Sequence, residues 1–521
     1  MIGQDFCGSI SSQIKTFSKF FQTLLASVNQ SDNSERVEQL NQIRKIYQNA
    51  KTVLIWLGPD TREHQAKVAV DSILIISNFL CRILGTTVSD LSSTDDVYQD
   101  IVFKNREHLP LPNECEFSTD TMWESLIWFY SRSYFTRVWI IQEINANKER
   151  WVHCGHQRIE WDRVELVAGY LIMETAFSKR FGFTRAYCWW AAIVRTERIR
   201  QPKYWLSMLY FASNFSCTDT RDVIYALWGL MTASDGTKLL EPDYSKSIVE
   251  VCRDTVEAAF VDFKNTNVLL YVTGNESPSW VPRWDRPMLF RNPFRSGKAL
   301  PWRPAGETKP IWNIDKDLNI LSLSGFVIDP IKFAESYDES FFRNAMTESD
   351  EGRSTLKQVW QQILKTVKSG SQIPFSASAL AAAATSFSFG LDEESNPADE
   401  SRLMRNFVAY LKNALGEETY DKYIPSGWSE EPSYGDGYAF DKPVWNFKYP
   451  ESSFFITEGR LMGCCISTTK PGDMVCVALG STYPFVLRPD GDHFLIRGYA
   501  YVHGIMHGEQ RYSQEQVFKI R

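Results

Sequence analysis

Val53-Leu54-Ile55-Trp56-Leu57-Gly58-Pro59-Asp60 is the stretch whose reading decides the fold. An unbroken apolar run stops at a Gly-Pro-Asp turn, which predicts a short strand buried on both faces. Ahead of it, Val37, Leu40, Ile43, Tyr47 and Ala50 recur at helical spacing. Asp32 followed by Glu35 resembles a capping box that opens this helix. Further upstream, Ile14, Phe17, Phe20, Phe21, Leu24, Leu25 and Val28 share one helical face. A helix feeding a buried strand predicts an α/β layer around a parallel sheet.

Working outward, residues 66–84 and Met122–Tyr130 carry helical patterns, separated by a polar, irregular excursion over 88–120. Val138-Trp139-Ile140-Ile141 is a second short apolar run ending in Gln142-Glu143, and predicts a strand or a strand-to-helix junction. Helices should dominate 160–260, including Asp222–Leu230 and Ser247–Phe260. Between 276 and 310, prolines 278, 282, 287, 293, 301, 304 and 310 mix with tryptophans 280, 284 and 302. Such a segment reads as a wrapped connector. It divides an α/β domain over 1–275 from a C-terminal α+β domain over 311–521. Within the latter, the Ala- and Ser-rich stretch near 375–400 reads as a low-complexity, locally disordered insert. Glycines 459, 463, 472, 480, 491, 498, 504 and 508 punctuate short β-rich runs and predict a small sheet or barrel-like module.

The chain has 521 residues, enough for roughly two to four domains. Hydrophobic residues make up 44% and aromatics 14%, which excludes a wholly disordered or collagen-like chain. A net charge of −7 argues against a dedicated nucleic-acid binder, which needs clustered Lys and Arg. Ten cysteines without a CxxC pair indicate reduced thiols and a cytoplasmic setting, with Cys464 and Cys465 as small core residues. The most apolar window, 70–84, is broken by Asp71, Ser77, Asn78 and Arg82 and does not predict a membrane span. The N-terminus lacks the pattern of a secretory signal.

No Walker-type, GxGxxG or GxSxG motif is present. His503 and His507 stand four apart, but Gly504 and Gly508 disfavour the helix that metal ligation would need, so a turn is the reading. His153-Cys154-Gly155-His156 reads as a tight turn between two strands rather than half of a zinc site. No metal is therefore expected. Glu143, directly after an apolar run, is the one candidate catalytic group. At the carboxyl end of a sheet it would hydrogen-bond a sugar hydroxyl or stabilise an oxocarbenium-like charge. The alternative is a helix-terminal charge or an ion pair with Arg137. Asp219-Thr220-Arg221-Asp222 precedes an amphipathic helix, and the favoured reading is capping, with Arg221 paired locally.

Four blocks are specific enough to carry a resemblance. Asn29-Gln30, Glu35-Arg36, Ile46-Tyr47, Ala50 and Val53 to Gly58 resemble the NQ…ER…Y…A…VWLG block of fungal heterokaryon-incompatibility (HET) domains, with Trp56 and Gly58 at its end. Residues 131–143, SRSYFTRVWIIQE, resemble their aromatic-R-VW-x-x-QE block through Arg137, Trp139, Gln142 and Glu143. TDTRDVIYALWGL, residues 218–230, resembles the T-D-x-R-D-x-x-Y-A-L-x-G-L block through Asp219, Arg221 and Asp222, and Pro242-Asp243-Tyr244-Ser245 matches the segment after it. Pro278 to Trp284, Pro484 to Arg488 and Tyr501 to Glu509 are similar to later segments of large fungal incompatibility proteins.

The resemblance implies a function in fungal self/non-self recognition, in which HET domains trigger programmed cell death when unlike hyphae fuse. Its partners would be other incompatibility proteins or a second copy. A distant similarity of HET domains to Toll/interleukin-receptor (TIR) domains implies a TIR-like parallel sheet with flanking helices. It offers two alternatives: an NAD glycohydrolase centred on Glu143, with NAD as substrate and no bound cofactor, or a non-catalytic interaction protein. One departure stands out: the family's first strand, S-Y-x-W-G, is missing, and Leu24 falls where the family carries Asp.

Overall fold

The computed structural model describes residues 33–60, 64–94, 97, 101–102, 104–172, 205–231, 240–288, 301–337, 350–371, 377–392, 396–416, 420, 435–437, 439–440, 452–509 and 514–521. The apolar face over 14–28 and the Asp32 cap lie outside them. The chain forms two compact units, one of residues 1–251 with 284–287, the other of 252–283 with 288–521.

In the first unit, α1 (Asn33–Asn49) leads into β1 (Val53–Trp56). β1 pairs in parallel with β2 (Arg150–Cys154), which turns back antiparallel into β3 (Gln157–Glu160). The sheet order is β1-β2-β3, so the α/β reading holds but the sheet among the described residues is mixed, with a single parallel pair. β1 is not buried on both faces. Val53 and Ile55 are buried whereas Leu54 and Trp56 are 50% and 40% exposed, the alternation of a strand covered on one side. The β2–β3 turn is the tight His153–His156 turn expected, with Gly155 at φ 56°. Its N–H donates to the Gly58 carbonyl, which places the β1 exit against it.

The covering layer is helical. α2 (Gln65–Leu84) buries Ala66, Ala69, Val70, Ile73, Ile76 and Leu80 on one face and ends at Gly85 in the left-handed region. After the short α3 (Val88–Ser93), α4 (Asp120–Tyr130) and α6 (Trp161–Leu171) pack with α2. Phe129, Tyr130, Phe135 and Trp161 interlock between them. The apolar run Val138–Ile141 is neither a strand nor its end. A 3₁₀ turn over Ser133–Thr136 leads into the helix α5 (Ile140–Asn145). A short apolar run fits a buried helix turn as well as a strand, and among the described residues the β pairing next to it is the isolated bridge from Arg137 to Ser216. Among the described residues three further helices follow: α7 (Trp205–Ala212), the one-turn α8 (Asp222–Tyr225) and α9 (Ile248–Phe263), at whose Val251 the division between units falls.

The second unit is built on β4 (Trp312–Asp315), the 18-residue β5 (Ile320–Tyr337), β6 (Ser452–Thr457), β7 (Met462–Cys465), β8 (Met474–Ala478), β9 (Phe485–Asp490), β10 (His493–Val502) and β11 (Gln516–Ile520). β5-β6-β7-β10-β9-β8 and back to β5 form a closed antiparallel ring. Closure removes free edges, and shifts of register within β5 and β10 supply the bends it requires. The core is Ile331, Phe455, Cys465, Val475, Val477, Val486, Ala500, Val502 and Ile505. Cys464 and Cys465 are buried core residues, as expected.

Among the described residues three helices flank the ring: α10 (Asp350–Ser371), α11 (Ala377–Ser388) and α12 (Glu400–Leu415). The Ala-rich stretch read as disordered is α11, with Leu380 and Ala381 to Ala384 buried. Alanine has the highest helix propensity and its small side chain lets a helix lie close on β7, where Ser386 donates to the Met462 carbonyl at 3.1 Å. His503 accepts or donates at Thr385 across 2.8 Å, and His507 packs on Trp302 with ring centres 5.1 Å apart. Both histidines of the pair therefore have structural partners.

Candidate functional site

The motif residues of the first unit come together where α1, α5, α8 and the loop after it meet. Asp219 is the hub. Its carboxylate accepts from the Arg221 side chain at 2.8 Å through each oxygen, from the Arg221 backbone N–H at 3.1 Å, and from Arg36 at 2.8 Å. Arg221 was expected to pair locally and its partner is Asp219, but Arg36 arrives from α1, a contact that neighbouring sequence does not announce. Arg221 also donates to the carbonyls of Tyr244 and Lys246, the latter at 2.9 Å, and so fixes the Pro242–Ser245 segment. The Arg36 guanidinium stacks on the Tyr244 ring at 3.4 Å.

Asp222 opens α8 and is buried. It accepts from the Tyr244 hydroxyl at 2.7 Å and from the Trp139 indole N–H. Gln142, on α5, donates to the Ala226 carbonyl at the end of α8, which ties the second and third sequence blocks together. Among the described residues its buried side-chain oxygen has no hydrogen-bond partner.

Glu143 lies one helical turn beyond Trp139, in the first turn of α5 rather than at a strand end. The Tyr134 hydroxyl donates to it at 2.9 Å, and the Tyr47 hydroxyl of α1 donates as well. The exposed Arg137 supplies a nearby positive charge. Glu143 is thus half-buried and held by two phenols.

Electrostatics separate the three carboxylates. Burial pushes Asp219 up, yet the hydrogen bonds of Arg221 and Arg36 outweigh it and hold this carboxyl well below the usual range. Burial raises Glu143 above its ordinary value, against the opposing Arg137 charge and the two tyrosines. Burial likewise raises Asp222, opposed by Tyr244 and Trp139 and reinforced by the Asp219 charge. Tyr47, Tyr134 and Tyr244 are all raised, by burial first and by their carboxylate partners second. They remain hydrogen-bond donors at neutral pH. Burial pushes the nearby Cys217 thiol up to about 11, which makes it a poor nucleophile.

The other predicted residues sit outside this cluster. Glu35 is in the first turn of α1. Trp56 ends β1 with its ring half-exposed. Gly58, at φ 100°, turns the chain out of the sheet. Among the described residues no group of three His, Cys, Asp or Glu side chains could hold a metal. Sequence reasoning missed Tyr47, Tyr134, Tyr225 and Tyr244 as site residues. Each lies in one of the quoted blocks, and a tyrosine in a polar block is a signal, since its ring can be buried only if the hydroxyl finds a partner.

Residues 26–143 match the family model "Heterokaryon incompatibility protein (HET)", and residues 448–518 match the "Het-6 beta-barrel domain" model. The chain is also similar to "Heterokaryon incompatibility protein 6, OR allele" of Neurospora crassa, with 23% identity over 92% of this chain and 80% of that protein. No solved structure matches. The chain thus carries one segment that matches the HET model and, after it, a second that matches the Het-6 beta-barrel model.

Proposed function

We propose that this protein acts in fungal self/non-self recognition, as an effector or regulator of the cell death that accompanies heterokaryon incompatibility, working in the cytoplasm through contacts with other incompatibility proteins or with a second copy of itself. The observation that carries the reading is the similarity to a heterokaryon incompatibility protein along most of both chains, with the HET and barrel segments in one chain. Among the described residues no helix is long and apolar enough to cross a membrane. Contacts rather than chemistry are favoured by the state of Glu143. Two tyrosine hydroxyls occupy its carboxylate, and a group so engaged is placed for holding structure.

The second reading, an NAD glycohydrolase, is supported by the same residue from the other side. Burial raises Glu143, as it does for many catalytic carboxyls. Induced expression in a fungal host of the chain and its Glu143→Ala variant, scored for death and for cellular NAD, separates the two. Contact signalling predicts death in both strains with NAD unchanged. Loss of NAD that the variant abolishes would establish the enzyme instead. Absence of death from the unaltered chain would overturn the proposed function.

A further inference from the structure

We propose that α1 is a latch: a helix that leaves and rejoins the first unit as a piece, and that bares an acidic, guanidinium-accepting face when it opens. The inference rests on how α1 is fastened. Arg36 and Tyr47 lie eleven positions apart, about three helical turns, which brings them to nearly the same side of the helix. At one end Arg36 reaches Asp219 at 2.8 Å and stacks on Tyr244 at 3.4 Å. At the other end Tyr47 donates to Glu143. Leu40, between them, is buried.

The decisive feature lies on the receiving face. Each carboxylate that α1 engages has a second partner that does not belong to α1. Asp219 keeps both side-chain bonds from Arg221, and Glu143 keeps the Tyr134 hydroxyl. Asp222, beside them, is satisfied by Tyr244 and Trp139. Lifting α1 therefore leaves neither of the carboxylates it engages without a partner, so the penalty of a buried unpaired charge does not oppose its release. Glu38, Gln42, Ile46 and Asn49 face solvent. Freed, a 17-residue helix of this composition is marginal by itself and would unwind. What remains is a paired carboxylate and a tyrosine ring, the socket Arg36 had filled. An arginine presented by a partner protein meets the same two groups.

The test is native-state amide hydrogen exchange on the purified full chain, unaltered and as Arg36→Ala and Tyr47→Phe. The latch predicts that α1 amides exchange at least roughly a hundredfold faster than those of α2 and α6 in the unaltered protein. It predicts a further increase of roughly tenfold in α1 in either variant, with α2 and α6 unchanged. Exchange of α1 in step with α2 and α6, or acceleration of all three together in the variants, would overturn it, because α1 would then open only with the whole unit. The measurement needs no fungal host, and its outcome is independent of whether the chain causes cell death.

Discussion

Three carboxylates within one cluster respond to pH with opposite signs. Asp219 is held below its unfolded value, so its pairing contributes stability that is complete above about pH 4 and is lost as pH falls further. Glu143 is raised, so its ionisation costs stability at neutral pH, and the cost is relieved as pH falls through its folded-state value. Thermal melts as a function of pH should therefore diverge for two isosteric variants. Asp219→Asn should flatten the loss of stability below pH 4 and lower the neutral-pH stability by about 2–3 kcal/mol, the scale of a charge-assisted bond network. Glu143→Gln should leave neutral-pH stability equal or higher and remove the gain on mild acidification. A large loss of neutral stability in Glu143→Gln would contradict this assignment.

These residues also show how far the sequence could be read. Glu143, Asp219, Arg221 and Asp222 were identifiable from the blocks they occupy, and so was a local pairing of Arg221, though not the identity of its partner. Arg36 as a further partner of Asp219 was not, because a bond between residues 183 positions apart leaves no local trace. Tyr47 and Tyr134 were visible only as aromatic residues, since nothing in a single sequence tells which carboxylate a buried hydroxyl will meet.

The elements divide along similar lines. Long periodic helices such as α2 and α9 were legible because burial repeats every three to four residues. Short apolar runs were not. Val138–Ile141 suits either a helix turn or a strand, and the outcome depends on which neighbour offers partners. The exposed face of β1 was hidden for the same reason, since Leu54 and Trp56 look no different in sequence from Val53 and Ile55. The turn after β1 was clearer. Gly58 stands at φ 100° with no atom within 4 Å of an added Cβ, so its requirement is conformational and not spatial. Gly58→Ala should destabilise the protein by about 1–2 kcal/mol in urea unfolding. A neutral result would show that the turn relaxes to another backbone geometry without loss.

At the level of the molecule, the barrel reaches beyond the segment that its family model matches. Residues 448–518 hold β6 to β10 and most of β11, but ring closure runs through β5, over 100 residues earlier in the chain by the element bounds. β5 pairs with β4, β6, β8 and β11 along successive parts of its length. A fragment of residues 448–521 alone should show no cooperative thermal transition, because β6 and β8 would each present an unpaired edge. A fragment of residues 252–521, which includes β5, should show one. Equal cooperativity in both would place the barrel's closure elsewhere.

That long strand has a consequence for biosynthesis. β5 leaves the ribosome before β6 and β8, which flank it in the ring, and before β11, which pairs with its first residues. At roughly 5–20 residues per second the wait is on the order of ten seconds or more. During it, the core-facing side of β5, with Leu321, Leu323 and Ile331, is uncovered. The high contact order makes closure slow, and the nascent chain is at its most aggregation-prone between the emergence of β5 and the arrival of β6.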